Sequence, residues 1–450
     1  MRSRAAHALG VVAATALLVV AAAPARAAVT TEPQPRTPIR HFIMLMQENH
    51  SFDNYFGTYP GADGIPPGVC MPQRRGKPRE GCVKPYHLGS SPLRDHSHDY
   101  KTALRQYHDG KLDGFVWALR VRQQDGKIAM GYYDRHELPF HWAVADQYVL
   151  FDRFFTSSMR GGDVNHMYWV AGQPRADDSV PTIFDRLQAR GISWKFYIAG
   201  YDPRLNARTP PPLRSARWDR VLDDVPILKM TRFADDPRLA SHLADLNDYH
   251  NDLQQGTLPA VAFMVNYGSS EHPAGSLDQG QRLLRSLVNG LIASSAWKDS
   301  AFMWTYDDWG GWYDHVAPPQ VDVERYGFRV PALLVSSFAR KGYIDHTQLD
   351  HTAGIKFIEE NWGLKPLARR DAAARTFMGA FDFASPPRPP SLIPMAPAGT
   401  GSAVVRRPPT MLLYGLYAGA FVVSLLVLGL AMLSSRWERR SARMSQGPSG

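Results

Sequence analysis

The chain has 450 residues, of which 44% are hydrophobic, a formal net charge of +9 and two cysteines. The positive charge partly reflects basic ends, and the body carries no Lys/Arg run with interleaved aromatics, which excludes a nucleic-acid-binding stripe. The cysteines, Cys70 and Cys82, have no histidine or second cysteine pair close by in sequence, so they predict a disulfide in a Pro- and Gly-rich loop rather than a metal site.

In chain order, Arg2 and Arg4 precede an apolar run from about Ala8 to Ala23, and Ala25-Arg26-Ala27 has the small-x-small form of a cleavage site. Residues 1–27 are expected to be a signal peptide; an uncleaved anchor helix is the other reading. Residues 28–384 form the expected body, long for one domain but within reach of large α/β enzymes. In it, His41–Met46, Trp194–Ile198, Pro259–Val265, Ala301–Thr305 and Val330–Ser336 read as short buried strands. Between and after them, Leu283, Leu284, Leu287, Val288, Leu291 and Ile292 fall on one helical face, as do Ile355, Ile358 and Trp362. Continuous apolar strands separated by amphipathic helices predict an α/β fold, with a mainly parallel sheet sandwiched by helices. Residues 385–409 are rich in Pro and Ala and read as a linker. The apolar stretch Met411 to Leu433 carries no charge and is long enough to span a hydrocarbon core of about 30 Å. Residues 410–434 are therefore expected to be a transmembrane helix. Arg436, Arg439, Arg440 and Arg443 then make residues 435–450 a basic cytoplasmic tail. The expected location is the cell membrane, single-pass, with the body extracellular or periplasmic.

Ligands of open parallel sheets bind beyond the carboxyl ends of the strands, which directs attention to the residues there. The first strand runs into Gln47-Glu48-Asn49-His50-Ser51-Phe52-Asp53. A carboxylate beside an amide offers two hard oxygen ligands to a divalent cation; an ordinary polar turn is the bland alternative. The strand at 301–305 runs into Tyr306-Asp307-Asp308-Trp309-Gly310-Gly311. Adjacent carboxylates repel unless they share a cation or a proton, although an Asp cap on a loop would look the same. His98, His272 and His351 lie in polar contexts at expected loops, where they would bind phosphate oxygens or protonate a leaving alkoxide.

These motifs resemble the bacterial phospholipase C and acid phosphatase group of phosphoesterases, over about Ile39 to Phe383. Glu48 to Gly57 is similar to that group's opening signature, with His50 where an Arg is commoner. Asp307 to Val316 is similar to its second metal signature; Glu271-His272-Pro273 and Asp350-His351-Thr352 are similar to its later histidine motifs. The resemblance implies an alkaline-phosphatase-like fold and hydrolysis of a phosphoester or phospholipid. It implies one divalent metal ion on Glu48, Asn49, Asp307 and Asp308, with oxygen-rich ligands that suit Ca²⁺, Mg²⁺ or Mn²⁺ and leave Zn²⁺ or Fe open. His98, His272 and His351 would position phosphate or serve the leaving group.

The resemblance also implies a Ser or Thr nucleophile that forms a phosphoenzyme. Its motif is a Gly-rich turn, the hydroxyl residue, two more residues and Asn. The matching stretch here is Ser157-Ser158-Met159-Arg160-Gly161-Gly162-Asp163-Val164-Asn165-His166, in which Ser157 or Ser158 could serve only if the turn is reshaped. Counting back from Asn165 places Gly162 at the nucleophile; counting forward from the glycines places Asp163 there. Asp163 is the candidate catalytic residue, as a metal ligand or an acyl-phosphate carrier. A surface protein that keeps the fold and binds phosphate or lipid without turnover is the alternative function. A sulfatase-type hydrolase is disfavoured, because that chemistry usually needs a Cys or Ser modified to an aldehyde, and both cysteines lie in the 70–82 loop, far from such a context.

Overall fold

The computed structural model describes residues 32–89, 95–206, 208–210, 216–273 and 275–395. The expected signal peptide, transmembrane helix and basic tail lie outside these residues. Among the described residues no helix is long and apolar enough to cross a membrane.

An eight-stranded sheet forms the centre. Its strands in chain order are β1 (His41–Gln47), β2 (Val149–Phe151), β3 (Trp194–Ile198), β4 (Leu243–Asp245), β5 (Val261–Val265), β6 (Ser300–Tyr306), β7 (Ala332–Ser336) and β8 (Tyr343–Asp345). They lie side by side as β8-β2-β7-β6-β1-β5-β3-β4. All pairings are parallel except those of β7, which is antiparallel to both β6 and β2. The five expected strands all form, and the sheet is mainly parallel as expected.

Strands β1, β5, β6 and β7 are buried along almost their whole length, which explains their unbroken apolar sequences. Register places Met44 beside Phe263 and Phe263 beside Phe196, so these residues share one face. That face is covered by α2 (Gly162–Ala171, following α1, Phe52–Phe56) and by a later helix, Thr352–Trp362. Trp169 meets Phe263 at 4.6 Å between ring centroids and Phe357 meets Phe42 at 4.5 Å. The opposite face carries Leu45, Trp304 and Tyr197. His141 of the helix Pro139–Gln147 packs there on Trp304, and Tyr249 packs on Tyr197. Helix α3 (Ala216–Asp224) and the long helix α4 (Leu277–Ala293) follow in the chain, and Thr352–Trp362 is α5. The apolar stripe of α4 is buried as its spacing predicts, except at Leu283.

Cys70 and Cys82 form the expected disulfide, with Cα atoms 5.3 Å apart. The stretch expected as a linker begins on the body. The Arg388 guanidinium donates to Gln147 O at 2.9 Å, and Ile393 exchanges backbone hydrogen bonds with the Asn289 amide at 2.9 and 3.0 Å.

Candidate active site

Register builds the site. In the β1–β6 ladder Gln47 stands beside Tyr306, and Asp307 N donates to Gln47 O at 3.0 Å. Glu48-Asn49 and Asp307-Asp308 therefore emerge together at the carboxyl edge of the sheet, where chemistry is expected. Asn49 turns with φ +69°, a left-handed conformation that Asn tolerates better than most residues. Its amide N donates to Asp307 Oδ1 at 3.3 Å. Gly310 is needed here: a Cβ on it would lie 2.1 Å from Asn49 O. The Gly310-Gly311 pair thus lets the loop after β6 fold against the loop after β1.

Asn49 is the hub. One terminal atom of its side chain lies 2.8 Å from Asp307 Oδ1 and 3.3 Å from Asp308 Oδ1; the other lies 2.9 Å from His272 Nε2 and 3.2 Å from His98 Nε2. The protonation of the imidazoles decides which atom is which. His98 Nδ1 faces His96 O and His272 Nδ1 faces Pro273 O, each at 2.8 Å, so both Nδ1–H groups donate to backbone. A protonated Nε2 donates to the Asn49 oxygen and leaves the NH₂ facing the two carboxylates, whereas an unprotonated Nε2 accepts from the NH₂. The second arrangement turns the Asn49 oxygen toward the two carboxylates, as cation ligation by Asn49 would need. Backbone amides meet part of the need of these oxygens, with Asp308 N on Asp307 Oδ1 at 2.7 Å and Gly310 N on Asp308 Oδ1 at 2.8 Å, and the remaining lone pairs of the clustered carboxylates are hard ligands of the kind a divalent cation takes. The donor set fits one such ion, with Glu48 completing it.

Electrostatics agree. Burial, and then the Asp308 charge, pushes the Asp307 carboxyl well above the usual carboxylate range. Burial also raises Asp308, against the opposing pull of His98, and raises Glu48, against that of His272. Burial alone would lower His98, but the Asp308 and Asp95 carboxylates outweigh it and raise the imidazole. Acids that resist ionising side by side hold either protons or a cation.

Residues 39–365 match the phosphoesterase family. The chain belongs to that family. It is similar to phospholipase C B of Mycobacterium tuberculosis, 27% identical over 78% of this chain and 79% of the relative. It is also similar to the hemolytic phospholipase C of Pseudomonas aeruginosa, 24% identical over 75% of this chain and 55% of the relative. The non-specific phospholipase C1 of Arabidopsis thaliana is 24% identical over 78% and 72%. A solved structure of a protein in the alkaline phosphatase superfamily from Vibrio parahaemolyticus is a distant likeness, at 13% identity and a TM-score of 0.35 over 76% of this chain and 72% of that one.

As a phosphoesterase the chain hydrolyses phosphate esters, and its expected site residues can be placed one by one. Glu48, Asn49, Asp307, Asp308, His98 and His272 come together. His272 Nε2 lies 3.9 Å from Glu48 Oε2, and His98 Nε2 lies 4.0 Å from Asp308 Oδ2. His98, His272 and Asp95 offer atoms within 4.8 Å of one another.

His351 does not join them. It is buried, with Nε2 on Tyr306 O at 2.9 Å and Nδ1 accepting from Ser157 N at 3.4 Å. Both ring nitrogens serve backbone, so its role is to pin the end of β6 to the turn at Ser157, and the catalytic expectation for it is corrected.

Asp163 is corrected too. It lies in the first turn of α2 with an exposed side chain. The residue that faces the acids is Gly162: a Cβ there would lie 2.1 Å from Asp307 Oδ2.

One acid was missed. Asp224, the last residue of α3, shares a cleft with Glu48 and His272, and burial followed by the Glu48 charge pushes its carboxyl well above the usual range. Asp223-Asp224 repeats the paired-acid signal of Asp307-Asp308, but on a helix rather than after a strand.

The remaining motif residues are structural. The Arg329 guanidinium is buried, with Nε donating to Asp314 Oδ1 at 2.9 Å and Nη2 to Asp53 Oδ1 at 3.1 Å. Its Nη1 donates to the carbonyls of Asp152 and Asp63 at 2.7 and 2.8 Å. Glu271, before His272 and at φ +69°, is buried and accepts from Tyr55 Oη at 2.9 Å and Tyr306 Oη at 2.5 Å. His50 Nε2 reaches Glu271 O at 2.9 Å, so His50 also steadies the loop that carries His272.

Proposed function

We propose that this phosphoesterase is a metal-dependent enzyme of the phospholipase C type, held at the outer face of the cell membrane. The observation that carries the metal dependence is the convergence of Asn49, Asp307 and Asp308 from two neighbouring strand ends, with the Asn49 side chain 2.8 and 3.3 Å from the two carboxylates. When bound, a divalent cation would neutralise developing charge on the phosphoryl oxygens and acidify an oxygen nucleophile. Glu48, Asn49, Asp307 and Asp308 would hold it. His98 and His272 would orient the phosphoryl group and hold the protons exchanged with the entering and leaving oxygens. The named activities of the relatives support a phospholipid diester as substrate. The apolar stretch at 410–434 and its arginine-rich flank support the anchor.

Full-length protein in detergent, supplied in turn with Ca²⁺, Mg²⁺, Mn²⁺ and Zn²⁺, is expected to cleave phosphatidylcholine or a chromogenic phosphate ester. Chelation should stop it, and Asp307→Ala should lower kcat/KM by roughly a hundredfold or more, since a catalytic cation contributes several kcal/mol. Turnover that survives both changes would sink the metal-dependent reading. Phosphate binding without turnover would leave a fold that recognises esters and no longer cleaves them. Removal of residues 410–450 should move the protein from the membrane fraction to the soluble one; retention in the membrane would refute the anchor.

A further inference from the structure

Position 162 governs how phosphorus can be attacked. Gly162 opens α2 with its Cα against Asp307, and the Asp307 carboxylate stands where a side chain at 162 would project. The hydroxyls nearest in sequence are engaged elsewhere. Ser157 Oγ donates to Asp350 Oδ2 at 2.9 Å, Thr156 Oγ1 donates to Ser158 O at 3.1 Å, and Ser158 Oγ accepts from Arg160 N at 3.2 Å. Ser270 is held by Glu48 through its side chain. Asp163 points to solvent. Beside the acids lies a cleft of about 290 Å³ that includes Glu48, Asp224, Ser270 and His272. Polar side chains reach into it, and it is many times the volume one water needs.

We infer that this chain hydrolyses its ester by direct attack of water on phosphorus, in a single displacement, with no phosphoryl group carried on a side chain. The inference rests on the hydrolase reading proposed above. The water oxygen forms its bond to phosphorus as the bond to the alcohol oxygen breaks. The water's proton passes to His272 Nε2, whose Nδ1–H is already held by Pro273 O, and then to solvent, to which this ring is 32% exposed. The departing alkoxide takes its proton from His98 Nε2, which is recharged from solvent. The sum is ester plus water giving phosphate monoester plus alcohol, and no other reactant is needed.

Stereochemistry tests this directly. Full-length protein with Mn²⁺, given a P-chiral aryl phosphorothioate diester in ¹⁸O-labelled water, should yield product with inverted configuration at phosphorus. Acid quenching during turnover of phosphatidylcholine, followed by intact-mass measurement, should find no phosphorylated chain. Retention of configuration, or a phosphoryl adduct at Ser270, Asp163 or any other residue, overturns the inference and leaves the hydrolase reading standing. Absence of turnover of every ester with every cation overturns both.

Discussion

Gly162 and Asp307 share one space, and this has a measurable consequence. Gly162→Ala is expected to push the Asp307 carboxylate aside, because the new Cβ would meet Oδ2 at 2.1 Å. Divalent-cation affinity, read by calorimetry, should fall at least about tenfold, or ~1.4 kcal/mol, with far-UV circular dichroism unchanged. Unchanged affinity would show that Asp307 moves freely. The two histidines that look alike in sequence should separate by assay. His272→Ala should cut turnover with little change in melting temperature. His351→Ala should cost stability, about 1–3 kcal/mol for the buried backbone groups it leaves unpaired, and affect turnover only through that loss. Equal effects on both readouts would refute the division. Glu48, Asn49, Asp307 and Asp308 were legible because polar residues at the ends of apolar strands stand out. The choice between Gly162 and Asp163 was not, since counting from either side of the turn gives a different answer and only packing on Asp307 settles it.

At the scale of elements, Arg329 ties the start of α1, the end of β2 and the loop after β6 through Asp53, the Asp152 carbonyl and Asp314. Arg329→Met is expected to leave Asp53 and Asp314 buried without their cation. Breaking one side of such a cluster costs roughly 3–5 kcal/mol, visible as a lower urea midpoint; an unchanged midpoint would mean the carboxylates simply take up protons. This node explains why the two signature stretches extend past the acids at the strand ends: Asp53, Asp314 and His315 hold the loops that present Glu48 and Asp307. The long central strands were readable from sequence because burial on both faces makes them apolar throughout. The three-residue strands β2, β4 and β8 were not, as so short a run has no measurable period. Nor was the reversal of β7, because an apolar run has no direction; its antiparallel place comes from the chain's return between β6 and β2.

Across the whole molecule, burial of neutral imidazoles sets a lower pH limit for the fold. Burial lowers His351 to about 4; burial, then His351 and Lys229, lowers His166 to about 3. In the unfolded chain each takes a proton near the usual 6.5. Their contribution is complete above that value and is lost as pH falls toward 4, because the unfolded state then binds more protons. Each should remove about 1.4 kcal/mol per pH unit. Melting temperature is expected to drop between pH 6.5 and 4, less steeply in His166→Phe; equal slopes would show that His166 is not responsible. The sheet order carries a different consequence. β1, at the centre, is the first strand to be synthesised, yet its neighbours are β5 and β6. Both its edges stay open until residues 261–265 and 300–306 have been made. An apolar strand with two unpaired edges invites association with other chains. The newborn polypeptide therefore has to be shielded for most of its synthesis, and Glu48 and Asn49 at the tip of β1 meet Asp307 and Asp308 only when nearly the whole body exists.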